Sequence, residues 1–220
     1  MLLVVLGAGG YAAWYVASPL DAKLPAEVEI PPGAGFRAAV GQLERAGLKV
    51  RPYHFEALAR VLRRAYRAMQ RHLQTEWDAR TPNVPYRTPY EALIMASIIE
   101  KETGRAAERD QIGGVLVNRL RIGMRLQVDP TVIYGLGATF DGNLKKIHLL
   151  EDGPYNTYTR AGLPPTPIAM PGLPSLRSAV RPGKTDALYY VSRGDGTSQF
   201  SRSIQEHNRA VTKYQLRGGR

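Results

Sequence analysis

The sequence predicts an α+β fold that is mainly helical, with a small β-hairpin late in the chain. Three observations predict it. Apolar residues recur at spacings of three and four through 53–79 and again through 89–121, as in helices with a core-facing side. Polar and proline-rich loops follow between 126 and 172. Two short β-prone runs, 187–192 and 199–201, then flank the turn Gly194-Asp195-Gly196.

The elements follow in order. No charged side chain precedes Asp21, and residues 1–17 are apolar or glycine, with Tyr11, Trp14 and Tyr15 near the downstream end. A membrane span needs ~17–25 apolar residues and favours aromatic side chains at its interface. We therefore expect a transmembrane anchor over 1–20. A cleaved signal peptide is the alternative, with Val16-Ala17-Ser18 as the small-residue site, although a basic leader is lacking.

Residues 24–50 predict a short β-α piece. Val28 and Ile30 alternate with Glu27 and Glu29, Pro31-Pro32-Gly33 turns, and Phe36, Val40 and Leu43 follow at helical spacing. The next segment, 53–85, is a basic amphipathic helix and a linker. Phe55, Leu58, Leu62, Ala65, Tyr66, Met69 and Leu73 line one face, and Arg60, Arg63, Arg64, Arg67 and Arg71 occupy part of the rest. Such a helix packs on a core or lies on an acidic surface. Thr81-Pro82-Asn83-Val84-Pro85 ends it, and the main domain is expected at 86–216.

That domain opens with the most informative helix, 89–103. Seven of the eight residues from Ala92 to Ile99 are apolar, so most of its circumference is buried, yet it runs into Glu100 and Glu102. A buried carboxylate is costly unless paired or used. The two lie about 200° apart around the axis and cannot share a face. Glu102 follows Ile98 and Ile99 over the apolar stripe, whereas Glu100 follows Ala96 and Ser97. Desolvation raises a carboxyl pKa, as a general acid working near neutral pH requires. Glu102 is thus the catalytic candidate and Glu100 the alternative; a plain helix end with Glu102 paired to Arg105 stays open. Ile112, Val115, Leu116 and Leu120 predict a second helix over 108–121. Asp129-Pro130 starts a turn that can open another, and 175–180 reads as a short helix. Ser203 with Glu206 caps a last helix running to about 214.

Composition removes several function classes. The chain has no cysteine, which excludes a disulfide framework, a zinc-thiolate site and a thiol nucleophile. Its four histidines are far apart in sequence, without metal-ligand spacing, so a metal enzyme is not expected. The formal charge of +11 favours polyanionic partners, from anionic lipid to acidic wall polymers. No nucleic-acid-binding module is recognisable, so nucleic acid is not an expected partner.

Several motifs occur in one order. These are Ala96-Ser97-Ile98-Ile99-Glu100-Lys101-Glu102-Thr103, Asn118-Arg119-Leu120, Leu126-Gln127-Val128-Asp129-Pro130-Thr131-Val132-Ile133-Tyr134, Tyr155-Asn156-Thr157-Tyr158, Gly162-Leu163-Pro164-Pro165, Tyr189-Tyr190-Val191 and His207-Asn208. Together they resemble the YceG-like endolytic murein transglycosylases over roughly 86–214. The apolar start and Ile30-Pro31-Pro32-Gly33 look like that family's anchor and the opening of its LysM-like region. Between Val50 and Tyr86 the likeness is absent, where family members carry a much longer segment.

The resemblance implies a lysozyme-like catalytic domain preceded by a truncated LysM-like piece and a membrane helix. It implies a single-pass protein of the bacterial inner membrane with its catalytic domain outside the cytoplasm. The implied substrate is peptidoglycan glycan, cut within nascent strands, with peptidoglycan synthases as a partner class and no cofactor or metal implied. By the same resemblance Glu102-Thr103 is similar to the Glu-Ser pair of lytic transglycosylases, and Gln127, Asp129, Tyr155 and Asn156 are implied to bind substrate. A glycan-binding or wall-synthesis scaffold without catalysis is the alternative expectation.

Overall fold

A computed structural model describes residues 36–45 and 52–216. The chain divides into two compact units, residues 1–68 and 69–220. The expected anchor over 1–20 lies outside the described residues, as does the strand expected within 24–50. Among the described residues no helix is long and apolar enough to cross a membrane.

In the first unit, α1 (Phe36–Arg45) falls where Phe36, Val40 and Leu43 predict a helix. The long helix α2 (Pro52–Asp78) begins in this unit. Val61, Leu62 and Tyr66 on it are exposed.

The second unit carries the site. Its central element is α3 (Pro89–Glu102), started by Thr88, whose hydroxyl accepts from the Glu91 amide at 3.2 Å. Glu91 returns the favour by accepting from the Arg87 amide at 2.5 Å, so two orphan donors of the chain entering the helix are satisfied. Ala92 and the run from Ile94 to Ile99 are buried, as the apolar density predicts. Against α3 packs α7 (Leu173–Val180), and α7 also meets α4 (Arg109–Arg121), which follows a 3-10 turn at Ala106–Glu108. Met95, Ile98, Ile99, Leu116 and Leu176 are fully buried between them. Each such side chain contributes about 1.5–3 kcal/mol relative to an exposed position. Gly113 permits the close approach of α4 to α7, because a Cβ there would stand 2.5 Å from Ser178 Oγ.

The last turns of α2 join this core through Met69, Leu73 and Trp77. Glu76, buried here, accepts from Arg177 Nε at 3.0 Å and pairs with Arg181, tying α2 to α7. Ser97, the one polar residue in the apolar run of α3, has a structural task. Its hydroxyl accepts from the Ile168 amide at 2.9 Å and so pins the proline-rich connection to the core.

The remaining elements frame one end of α3. Helix α5 (Asp129–Leu136) starts at Asp129-Pro130, and a five-residue α6 (Lys146–Leu150) follows. The antiparallel hairpin pairs β1 (Tyr189–Ser192) with β2 (Ser198–Ser201), Tyr190 opposite Phe200. Gly194 and Gly196 in its turn have φ of +87° and +82°, which L side chains rarely adopt. Ser203 caps α8 (Ile204–Val211), and the chain winds on through a π turn at Thr212–Leu216.

Candidate active site

Glu102 is the last residue of α3, followed by Thr103, whose hydroxyl bonds back to the Ile99 carbonyl at 2.7 Å. Its carboxyl therefore stands where a buried helix emerges from the core. Tyr190 of β1 donates its hydroxyl to Glu102 Oε2 at 2.5 Å. Burial pushes the Glu102 carboxyl above its ordinary value; the Tyr190 hydrogen bond opposes that rise and the nearby Asp129 charge adds to it. Tyr190 is itself pushed well above the ordinary phenol value, by burial and then by Glu102, so it remains a donor. Among the described residues no ion pair joins Glu102 to Arg105.

The opposite wall is the segment leading into α5. The Gln127 amide donates to the Thr157 carbonyl at 3.1 Å and the Val128 amide to Thr157 Oγ1 at 3.0 Å. Thr131 and Thr157, both buried, share a hydroxyl contact of 2.9 Å. These bonds lock 127–131 to the Tyr155–Tyr158 loop. Gln127 has φ +53°, a left-handed conformation uncommon for a residue with a side chain. Strain of this kind persists where surrounding bonds over-determine it, and here it stands beside the candidate acid. Tyr158 donates its hydroxyl to Asp129 Oδ1 at 2.5 Å.

Between these walls lies an open cleft of about 470 Å³. Glu102, Gln127, Asp129 and Tyr158 line it, with Tyr189 and Tyr190 from the hairpin and His207 from α8. Arg119 closes the floor; it is only 9% exposed. Its guanidinium donates to the carbonyls of Leu188 (2.6 Å) and Leu126 (2.8 Å), bridging hairpin and loop. Tyr189 lies 5.0 Å from that guanidinium and stacks on His207 at 5.2 Å. Burial and Arg119 both hold the His207 imidazole below its ordinary value. Among the described residues no group of three or more His, Asp or Glu side chains is placed to hold a metal ion.

The structure thus brings together Glu102, Gln127 and Asp129 of the residues expected from sequence, and separates the others. Glu100 points to α7, accepting from Ser175 Oγ at 2.5 Å and from the Gly172 amide at 3.1 Å. The Ser175 bond above all holds its carboxyl below the ordinary range. It serves as a cap for α7, not as a cleft residue. Tyr155 and Asn156, expected to bind substrate, do not line this cleft. Tyr155 packs on Tyr134 and meets the Thr166 hydroxyl at 2.8 Å. Asn156 is buried with its amide nitrogen shared among the carbonyls of His148, Leu149 and Glu151, while its oxygen accepts from the Tyr158 amide. Both shape the loop that delivers Tyr158. Sequence reasoning missed Arg119, Tyr158, Tyr190 and His207 as cleft residues, although every one falls within a motif quoted above.

The sequence profile of the YceG-like family matches residues 53–213. The chain belongs to the YceG-like family. The match begins at 53, so it includes α2, where the sequence alone shows no likeness. Among relatives of this YceG-like chain, the endolytic murein transglycosylase of Bacillus subtilis is 45% identical over 125 residues, 57% of the chain. That of Streptococcus pneumoniae is 32% identical over 136 residues, 58% of the chain. The aligned segments span 34% and 24% of those proteins, so the chain matches about a third of the one and a quarter of the other. A crystal structure of a YceG-like protein from Listeria monocytogenes superposes with a TM-score of 0.52 at 31% identity, covering 79% of this chain and 48% of that one.

Proposed function

We propose that the chain is an endolytic peptidoglycan lytic transglycosylase, cleaving the β-1,4 bond between N-acetylmuramic acid and N-acetylglucosamine within nascent strands. The observation that carries this reading is Glu102. It is a desolvated carboxyl at the mouth of a buried helix, held by a tyrosine hydroxyl in an open cleft, in a chain of the YceG-like family. Its raised pKa keeps a proton on the group nearer neutral pH, as a general acid needs.

In the proposed reaction, Tyr190 occupies Oε2 and leaves Oε1 to present the proton to the glycosidic oxygen. The bond from C1 to that oxygen breaks, and the muramyl C6 hydroxyl closes on C1. Glu102, now ionised, takes the proton from that hydroxyl, giving a 1,6-anhydro-muramyl end and a regenerated acid. One carboxyl performs both transfers because the nucleophile belongs to the sugar, so the second carboxylate of a hydrolase is not required. Asp129 and Gln127 position the strand from the facing wall. We further place the protein on the outer side of the plasma membrane, anchored by its apolar first residues, close to the synthases that extrude new strands.

The test uses uncrosslinked peptidoglycan, the parent protein and Glu102→Gln, with mass spectrometry of the products. Anhydro-muramyl ends from the parent alone are expected. Glycan retained without products from either protein would assign a binding module instead.

A further inference from the structure

The cleft holds one guanidinium, Arg119, and pairs it with neither of the cleft carboxylates. Each of its two carboxylates is engaged by a phenol: Tyr190 donates to Glu102 and Tyr158 to Asp129. Arg119, buried on the same floor, has no carboxylate partner among the described residues. Its Nε and Nη1 donate to main-chain carbonyls and, at 3.4 Å, to Gln127 Oε1; all of these acceptors are neutral. None of these bonds uses Nη2. His207 supplies no counter-charge either, since an imidazole is neutral or cationic, never anionic. A buried cation without an anion is costly, and a ligand that brings the anion recovers much of that cost.

We propose that Arg119 is the receptor for a carboxylate carried by the glycan strand, engaged through Nη2, and that it sets the preference of the cleft for acidic over neutral saccharide. The inference rests on the glycan reading given above. A guanidinium suits the role better than an ammonium because Nε and Nη1 can stay anchored to the protein while the other edge of the fork meets the ligand. Two sources offer the same chemistry: the free lactyl carboxylate of a muramyl sugar without peptide, and a carboxylate of the stem peptide.

The experiment measures binding to Glu102→Gln, which holds substrate without turnover, and cleavage by the parent. The probes are peptide-free glycan, the same glycan with its lactyl carboxylates converted to methylamides, and peptide-bearing strands with stem carboxylates free or amidated. Neutralising the engaged carboxylate is expected to weaken binding roughly tenfold or more, since a charge-assisted hydrogen bond is lost. Loss on lactyl amidation alone assigns the lactyl source, and loss on stem amidation alone assigns the stem. Arg119→Met in the same background should bind acidic and amidated probes alike, with its fold checked by thermal unfolding. Should that variant not fold, the comparison of probes on the parent fold still decides the matter. Equal affinity for acidic and amidated probes overturns the inference and leaves the transglycosylase reading standing. Failure to bind or cleave any glycan overturns both.

Discussion

Glu100→Gln separates the two carboxylates of α3, because the structure gives Glu100 a mechanical role. Its Oε2 accepts from Ser175 Oγ at 2.5 Å and from the Gly172 amide at 3.1 Å, both at the start of α7. Glutamine keeps an acceptor oxygen but removes the charge. A hydrogen bond to a charged group contributes about 1.5–3 kcal/mol and a neutral one about 0.5–1.5, so the difference is ~1 kcal/mol per bond. Two bonds give about 2 kcal/mol, reduced toward ~1 because solvent screens a half-buried group. For a domain near 150 residues, each kcal/mol lowers Tm by roughly 2–4 °C. Thermal unfolding followed by circular dichroism should therefore show a fall of about 2–8 °C at neutral pH. Since the Glu100 carboxyl is held below its ordinary value, its contribution is fully present above the unfolded pKa. It is lost as pH falls through the folded pKa, so the gap between parent and variant should close in acid. Release of anhydro-muramyl ends should stay within about threefold of the parent, far less than the 10²–10⁴-fold typical of losing a general acid. An unchanged Tm together with abolished product would refute the assignment of Glu100 to α7 and of the acid role to Glu102.

Other expectations follow from the same contacts. Tyr190→Phe removes the hydrogen bond that lowers the Glu102 pKa, so the alkaline limb of the pH–rate profile should move to higher pH. Asp129→Asn removes a like charge and should move that limb to lower pH; two shifts of the same sign would contradict the electrostatic account. Glu76→Gln should destabilise by about 1–3 kcal/mol in urea unfolding, below the ~3–5 of a fully buried pair because Arg177 and Arg181 can rehydrate. Gly113→Ala should cost about 1–3 kcal/mol through crowding against Ser178, without changing the pH profile.

Much of this architecture was legible because local chemistry and tertiary packing agree in it. The buried α3, the Ser203 cap and the late hairpin all follow signals confined to a few residues. Glu102 was separable from Glu100 because helical geometry alone puts them on different faces. The role of Glu100 was not legible, since its partners lie more than seventy residues away across a proline-rich connection. The loop bonds of Asn156 were not legible for a related reason: an amide able to grip sugar hydroxyls is equally able to gather three carbonyls of its own loop. Tyr190 and Arg119 reach the cleft only through hairpin pairing and the packing of α4, and neither periodicity nor spacing carries that information. Short α6 lacks the length for a periodic signal.

The central claim is that one carboxyl suffices because the sugar, not water, is the nucleophile. Digestion of uncrosslinked peptidoglycan in water enriched in heavy oxygen tests this directly, with product ends read by mass spectrometry. The account predicts anhydro-muramyl ends that carry no heavy oxygen, formed by the parent and absent with Glu102→Gln. Reducing ends labelled with heavy oxygen would show that water attacks C1, and would contradict it.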